Sequence, residues 1–184
     1  MLRMKFWPSA KCPRCLHPNE TTEHVLHCPS ISARQLALSL KNKFEQNLAK
    51  LNTSPRLRQT LISLIDSSIW NLPPTNCHPS ISQEAIQAQL HLSIHDFCCG
   101  RLVTKWRELQ AIHIQNNDLP TRADAWTQQV IINIWNLFFQ MWLHRNECLH
   151  SSDSIKDQIY NLSELDTEIR RQWHIGNQKL HSAD

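Results

Sequence analysis

Glycine is almost missing from this chain, which has 2 glycines among 184 residues. Average usage is about 7%, and glycine supplies the tight turns and phosphate-binding loops of many folds. A Rossmann domain, a P-loop enzyme and a turn-rich β-sandwich are therefore disfavoured. The 7 Trp and 5 Phe residues, beside abundant Leu and Ile, suit the filling of helix interfaces. We predict a single all-α body.

Hydrophobic periodicity divides the chain into an irregular start and a series of helices. Residues 1–30 have four prolines and no helical period, whereas apolar residues recur at helical spacing from Ser32 onward. The pattern predicts an irregular N-terminal segment at residues 1–30 and a bundle of four to five helices at 31–184. The predicted helices cover about 32–51, a segment opened by Pro55, about 80–112 with Gly100 as a weak point, 125–150 and 155–173.

The helix over residues 125–150 is apolar on almost all sides, so we expect it at the centre of the bundle. The proline-rich residues 72–79 and the residues 116–120 are predicted loops.

Positive charge is concentrated in the first third of the chain. Residues 1–60 contain ten Lys or Arg against three acids, a net charge of +7, whereas the other residues contain nine against thirteen, a net charge of −4. This asymmetry predicts an N-terminal surface that faces an anion, and nucleic acid is the commonest large one. With no secretory signal and no 18-residue apolar run, we expect a soluble, intracellular protein without membrane association whose seven cysteines are thiols or metal ligands.

Four residues near the N-terminus have the spacing of a zinc site. Cys12, Cys15, His24 and Cys28 form the pattern C-x2-C-x8-H-x3-C, and Zn²⁺ favours four nitrogen or sulfur ligands in a tetrahedron. We therefore predict a small CCHC-type zinc knuckle at residues 1–30, whose Zn²⁺ is structural because four protein ligands leave no open position. His17 and His27 are alternative ligands; we prefer His24 because one helical turn would present His24 and Cys28 together.

The same residues resemble the zinc-binding segment that follows the reverse transcriptase domain in non-LTR retrotransposon polyproteins. The resemblance covers Cys12-Pro-x-Cys15, Glu20-Thr21-x-x-His24-Val25-Leu26-x-Cys28-Pro29 and, more weakly, the W-x2-R-N-x3-H block from Trp142 to His150. Many members have one more residue between the last two ligands. A Tyr-Ala-Asp-Asp-like polymerase motif is missing, since the sole tyrosine is Tyr160.

The resemblance implies a non-enzymatic module that engages template RNA or target DNA, with Cys12, Cys15, His24 and Cys28 as metal ligands and a nuclear location. Basic and aromatic residues beside the knuckle have the makeup of a single-strand binding patch, in which cations meet phosphates and rings stack on bases. These residues are Arg3, Lys5, Phe6, Trp7, Lys11 and Arg14. The ordinary alternative is that the rings pack the knuckle against the helices and the cations are solvated.

Two other functions fit parts of the sequence. Arg145 and His150 match the Arg-x4-His signature of the all-α HEPN-type ribonucleases, in which the arginine stabilises phosphate charge and the histidine acts as a base. Alternatively, Arg145 pairs with an acid on a neighbouring helix and His150 caps its own. A third interpretation is a helical protein-interaction module that zinc merely stabilises.

A second metal site is also conceivable. His91, His95 and Cys98 share one face of the predicted third helix, and His144 or Cys148 could complete the set. Satisfied or surface histidines are the ordinary alternative.

Overall fold

The computed structural model describes residues 10–71 and 82–150, and within them the chain forms seven α-helices and no strand. The prediction of an all-α fold that follows a Cys/His cluster is confirmed. The helices are α1 (Thr22–His27), α2 (Ile31–Lys50), α3 (Pro55–Trp70), α4 (Ser82–Leu92), α5 (Ile94–Cys98), α6 (Thr104–Asn116) and α7 (Ala123–His150).

Local capping explains where the first helices begin and end. The Thr21 hydroxyl accepts a hydrogen bond from the backbone N–H of His24 at the start of α1, and Ser30 does the same for Ala33 in α2. Pro55 occupies the first turn of α3, where its missing N–H costs nothing. Asn71 ends α3 in the left-handed conformation.

The prediction of one helix from about residue 80 to 112 was wrong, because the backbone breaks twice in this segment. At Ser93 φ is 138°, and its hydroxyl accepts a hydrogen bond from the Asp96 backbone N–H to start α5. At Gly100 φ is 77°, and a Cβ there would lie 2.5 Å from Nε1 of Trp135. Only glycine combines this conformation with so close a neighbour. Three helices, α4, α5 and α6, result.

Helix α3 lies at the centre of the fold. It packs against α1, α2, α4, α5 and α6, and its buried apolar side chains are the periodic residues of the sequence: Leu57, Leu61, Leu64, Ile65 and Ile69. The prediction that residues 125–150 would be central was wrong. Helix α7 buries one stripe (Trp126, Val130, Ile134, Leu137 and Met141) and exposes Trp135, Phe139 and Trp142.

The chain divides into two compact units, Met1–Cys148 and Leu149–Asp184. Residues 12–28, hereafter the Cys/His segment, belong to the first unit, where Leu26 packs against the main hydrophobic core. The predicted loop at 72–79 and the predicted helix at 155–173 lie outside the described residues. No helix in the described ranges is long and apolar enough to cross a membrane.

Candidate metal centre

A tight loop and a short helix bring the four predicted ligands together. Backbone hydrogen bonds from Cys12 N to His17 O (2.8 Å) and from Leu16 N to Cys12 O (2.9 Å) close the loop that holds Cys12 and Cys15. Helix α1 then presents His24, and Cys28 follows at its C-cap. Residues that are close in the sequence therefore form one local structure, and this structure places the four side chains together.

The ligand atoms of Cys12, Cys15, His24 and Cys28 all lie within 4.8 Å of one another. Sγ of Cys12 is 3.8 Å from Sγ of Cys28, and Sγ of Cys15 is 3.2 Å from Nε2 of His24. Cys12 and Cys28 are buried, and the other two side chains are half-buried. The cluster could hold a metal ion, with three sulfurs and one nitrogen as ligands.

The two alternative histidines have other contacts. Nε2 of His27 lies 2.8 Å from the backbone carbonyl oxygen of Ser68 in α3. A carbonyl can only accept, so His27 donates its N–H there and points away from the cluster. The His17 ring stacks on the His24 ring with centroids 4.7 Å apart, and its Nδ1 contacts the backbone of Asn19. Among the three histidines of the segment, His24 is the one placed in the cluster.

The protonation of the cluster follows from burial and from neighbouring groups. Burial raises the pKa of the Cys12 thiol to about 11. Burial acts in the same direction on Cys28, but hydrogen bonds from Ser30 and the charge of Arg14 outweigh it and lower its pKa. Burial, together with the nearby His17, lowers the pKa of His24. A neutral imidazole and thiolates are the forms that bind metals, so a bound cation would have to displace the Cys12 proton.

A buried ion pair joins the Cys/His segment to α7. Nε of Arg145 donates to Oε2 of Glu20 at 2.9 Å, and the two side chains are only 17% and 8% exposed. Burial acts to raise the pKa of Glu20, but the Arg145 guanidinium outweighs it and holds that pKa below its usual value. Within the segment, the Arg14 guanidinium donates to the Val25 carbonyl oxygen at 2.6 Å.

The ion pair bears directly on two sequence hypotheses. The expectation that Arg145 pairs with an acid is confirmed, although the acid precedes α1 rather than lying on a neighbouring helix. A ribonuclease would need this guanidinium to face a phosphate, whereas here it faces Glu20 and is largely buried. Glu20 belongs to the Cys/His motif and Arg145 to the W-x2-R-N block. Nothing in either sequence pattern predicts that these two residues contact each other.

The predicted nucleic-acid patch is described only in part. Arg3, Lys5, Phe6 and Trp7 lie outside the described residues. Lys11 is exposed, and Arg14 is half-buried and hydrogen-bonded within the segment. Of the predicted cations that the structure describes, Lys11 is thus the more accessible to a ligand.

The conceivable second metal site is not assembled. Over residues 10–71 and 82–150, the N-terminal cluster is the only group of three or more potential ligands. His95 Nε2 lies 3.7 Å from Sγ of Cys99, and His144 Nε2 lies 3.9 Å from Sγ of Cys148, so each forms a pair. Cys98 packs against the hydrophobic core instead, and burial raises its pKa to about 11.

In comparisons with known proteins, no family model, no curated protein and no solved structure matches this chain.

Proposed function

We propose that this chain is a zinc-stabilised, non-enzymatic nucleic-acid-binding module of a retroelement reverse-transcriptase-like protein. The observation that carries the proposal is the Cys3His cluster, whose four ligand atoms lie within 4.8 Å of one another. Zn–S bonds of about 2.3 Å in a tetrahedron require sulfurs about 3.8 Å apart. The distance of 3.8 Å between the sulfurs of Cys12 and Cys28 fits that requirement.

Zinc is the metal favoured by this donor set. Three soft thiolates and one imidazole suit Zn²⁺ better than Mg²⁺ or Ca²⁺, which prefer oxygen ligands. Four protein ligands would fill the tetrahedron, so the ion would stabilise the segment rather than activate water. Cys12, Cys15, His24 and Cys28 would hold it, and Arg14 beside them would offset part of the thiolate charge.

The ion pair supports the retroelement part of the proposal. Glu20 lies in the Cys/His motif, and Arg145 lies in the W-x2-R-N block, 125 residues later. These are the two segments that carry the sequence resemblance, and they form one structural contact here. A buried pair of this kind gives both motifs a reason to occur together in one chain.

The nucleic-acid-binding part of the proposal rests on the positive charge of the N-terminal third of the chain. The net charge of +7 in the first 60 residues accompanies the Cys/His segment, and exposed Lys11 lies beside Cys12. Phosphate contacts release counterions, so the affinity should fall steeply as salt increases.

The test combines zinc analysis with titration of fluorescent single-stranded RNA and DNA over a series of salt concentrations. We expect one zinc per chain, loss of zinc in Cys28→Ser, and a smaller salt slope in the Lys5→Ala, Lys11→Ala double variant. Cys99→Ser is the matched control for the thiol, because Cys99 is exposed and outside the cluster. A folded parent that holds no zinc, or that binds neither oligonucleotide, would refute the proposal. So would polymerisation on a primed template or metal-independent RNA cleavage that His150→Ala abolishes.

A further inference from the structure

A polar cleft runs between α2 and α7, away from the Cys/His segment. Its volume is about 370 Å³, and amide side chains line much of it: Asn47 from α2 with Asn133, Asn136 and Gln140 from α7. Nδ2 of Asn47 donates to Oδ1 of Asn133 at 2.8 Å, which links the two helices. Asn136 and Gln140 are exposed, so their amides can reach a ligand.

Two exposed aromatic rings of α7 extend a row of side chains that begins at Asn136. Phe139 and Trp142 are 52% and 48% exposed, and their rings stack with centroids 5.7 Å apart. Asn136, Phe139 and Trp142 are spaced three residues apart, so they form one row of neighbouring side chains that starts in the cleft and continues along exposed α7. Trp135, the third exposed ring of α7, is already engaged, because its Nε1 donates to the Cys99 carbonyl oxygen at 2.8 Å.

The charge of the cleft favours an anion. Lys43 is exposed and lines it, and no ion pair between described side chains includes Lys43. Helix α2 contains four Lys or Arg residues against the single acid Glu45, and residues 125–143 of α7 contain no charged side chain. An anionic ligand would therefore meet one accessible cation and no acid in the cleft.

These three features together select one class of ligand. An apolar partner helix would cover the rings but would strip water from Asn136 and Gln140 without replacing their hydrogen bonds. A small inorganic anion would use Lys43 but leave the rings without a role. A duplex keeps its bases stacked on one another, whereas a single strand offers free base faces to aromatic rings and base edges to amides.

We propose that the cleft between α2 and α7 binds single-stranded nucleic acid. Lys43 contacts a phosphate and Asn136 and Gln140 hydrogen-bond base edges in the cleft, and a strand that continues along α7 stacks its bases on Phe139 and Trp142. The inference rests on the proposed nucleic-acid-binding function and locates a binding surface on the helices, in addition to the cations near the Cys/His segment.

The experiment measures binding of the full zinc-loaded chain to oligo(U) and oligo(dT) of about 12 nucleotides, a length that such sites commonly span. We expect Phe139→Ala and Trp142→Ala each to weaken binding about tenfold. Lys43→Ala should lower the slope of log affinity against log salt by about 0.7. Matched controls are Ile112→Ala, which removes another 54% exposed apolar side chain, and Lys50→Ala, which removes another exposed cation of α2. Comparing the affinities for oligo(U) and oligo(dT) shows whether the cleft prefers RNA or DNA.

The outcomes separate this inference from the proposed function. If the parent binds and Phe139→Ala, Trp142→Ala and Lys43→Ala all match the controls, the cleft assignment is wrong while the proposed function stands. A parent that binds neither strand overturns both. Light scattering provides a further check: a parent dimer that Phe139→Ala dissociates without changing the oligonucleotide affinity would make this surface a self-association interface and overturn the inference. Circular dichroism confirms that each exposed-site variant is folded.

Discussion

The Cys/His segment and the helical core differ in the side chains that they bury. The buried group at the segment consists of Cys12, Cys28 and Ala33, with Cys15 packed against it. The core instead combines apolar side chains from all six helices α2 to α7. Burial of apolar area stabilises the core without a ligand. A segment whose buried group is mostly thiols has little such area, so the proposed zinc ion and a few contacts to the helices are expected to stabilise it.

Metal removal is the strongest test of this contrast. Structural Zn²⁺ contributes roughly 10–16 kcal/mol to the folding of zinc-finger peptides, so we expect a chelator to unfold residues 12–28 and to leave α3 folded. Hydrogen exchange should show amides of α1 becoming unprotected while those of Leu61 and Ile65 keep their protection. Cooperative loss of protection in both regions would mean that the core depends on the metal.

The reciprocal change removes a side chain from the core. Trp126 is fully buried, and its Nε1 donates to the Thr53 hydroxyl at 2.9 Å. Trp126→Ala should lower the free energy of unfolding of the zinc-loaded protein by about 4 kcal/mol, because it leaves a large cavity. Urea denaturation followed by circular dichroism measures this. Trp126→Phe, which keeps most of the ring but loses the hydrogen bond, should cost about half as much; an equal cost for the two variants would contradict the cavity argument.

The third test concerns the contact between the two regions. Arg145→Ala leaves the Glu20 carboxylate buried without its partner, and we expect a loss of about 3 kcal/mol in the free energy of unfolding. The double variant Glu20→Gln, Arg145→Ala should recover part of that loss, because no unpaired buried charge remains. Denaturation of the four members of this cycle measures the coupling. Strictly additive losses would show that the ion pair is not what joins the segment to α7.

The grouping of the four Cys and His side chains was predictable from sequence because its determinants are local. Cys12, Cys15, His24 and Cys28 fall within 17 residues, and a short loop and one helical turn suffice to gather them. The α2 and α3 helices were predictable for a similar reason, since a polar cap or Pro55 precedes a clear apolar stripe in each.

Features that depend on distant contacts were not predictable. The partner of Arg145 lies 125 residues away, and no pattern in either segment identifies it. The apolar sequence of α7 is equally compatible with a central helix and with a peripheral one that exposes Phe139 and Trp142. The break at Ser93 is a different case, because it had a local signal: Ser93 and Asp96 match a capping-box pattern, and the Ser93 hydroxyl caps α5.

The smallest effect is expected where the two regions meet in the chain, at Ser30. Its hydroxyl accepts a hydrogen bond from the Ala33 backbone N–H at 3.3 Å to cap α2, and it also lies 3.6 Å from Sγ of Cys28. Ser30→Ala should lower the free energy of unfolding by about 1 kcal/mol, the usual value of an N-cap. It should also weaken zinc affinity by roughly tenfold, because groups that hydrogen-bond a ligand commonly tune the metal by that amount.

Thr21→Ala is the matched control for Ser30, since Thr21 caps α1 in the same way through the His24 backbone N–H, and of these two hydroxyls it is that of Ser30 that contacts a cluster sulfur. Competition with a chromophoric chelator measures zinc affinity, and urea denaturation measures stability. If Ser30→Ala and Thr21→Ala change zinc affinity equally, Ser30 acts only as a helix cap. If Ser30→Ala alone weakens zinc binding, then the Ser30 hydroxyl supports both the zinc site and the helical core. Its position explains why, since Ser30 follows the ligand Cys28 by two residues and is the N-cap of α2.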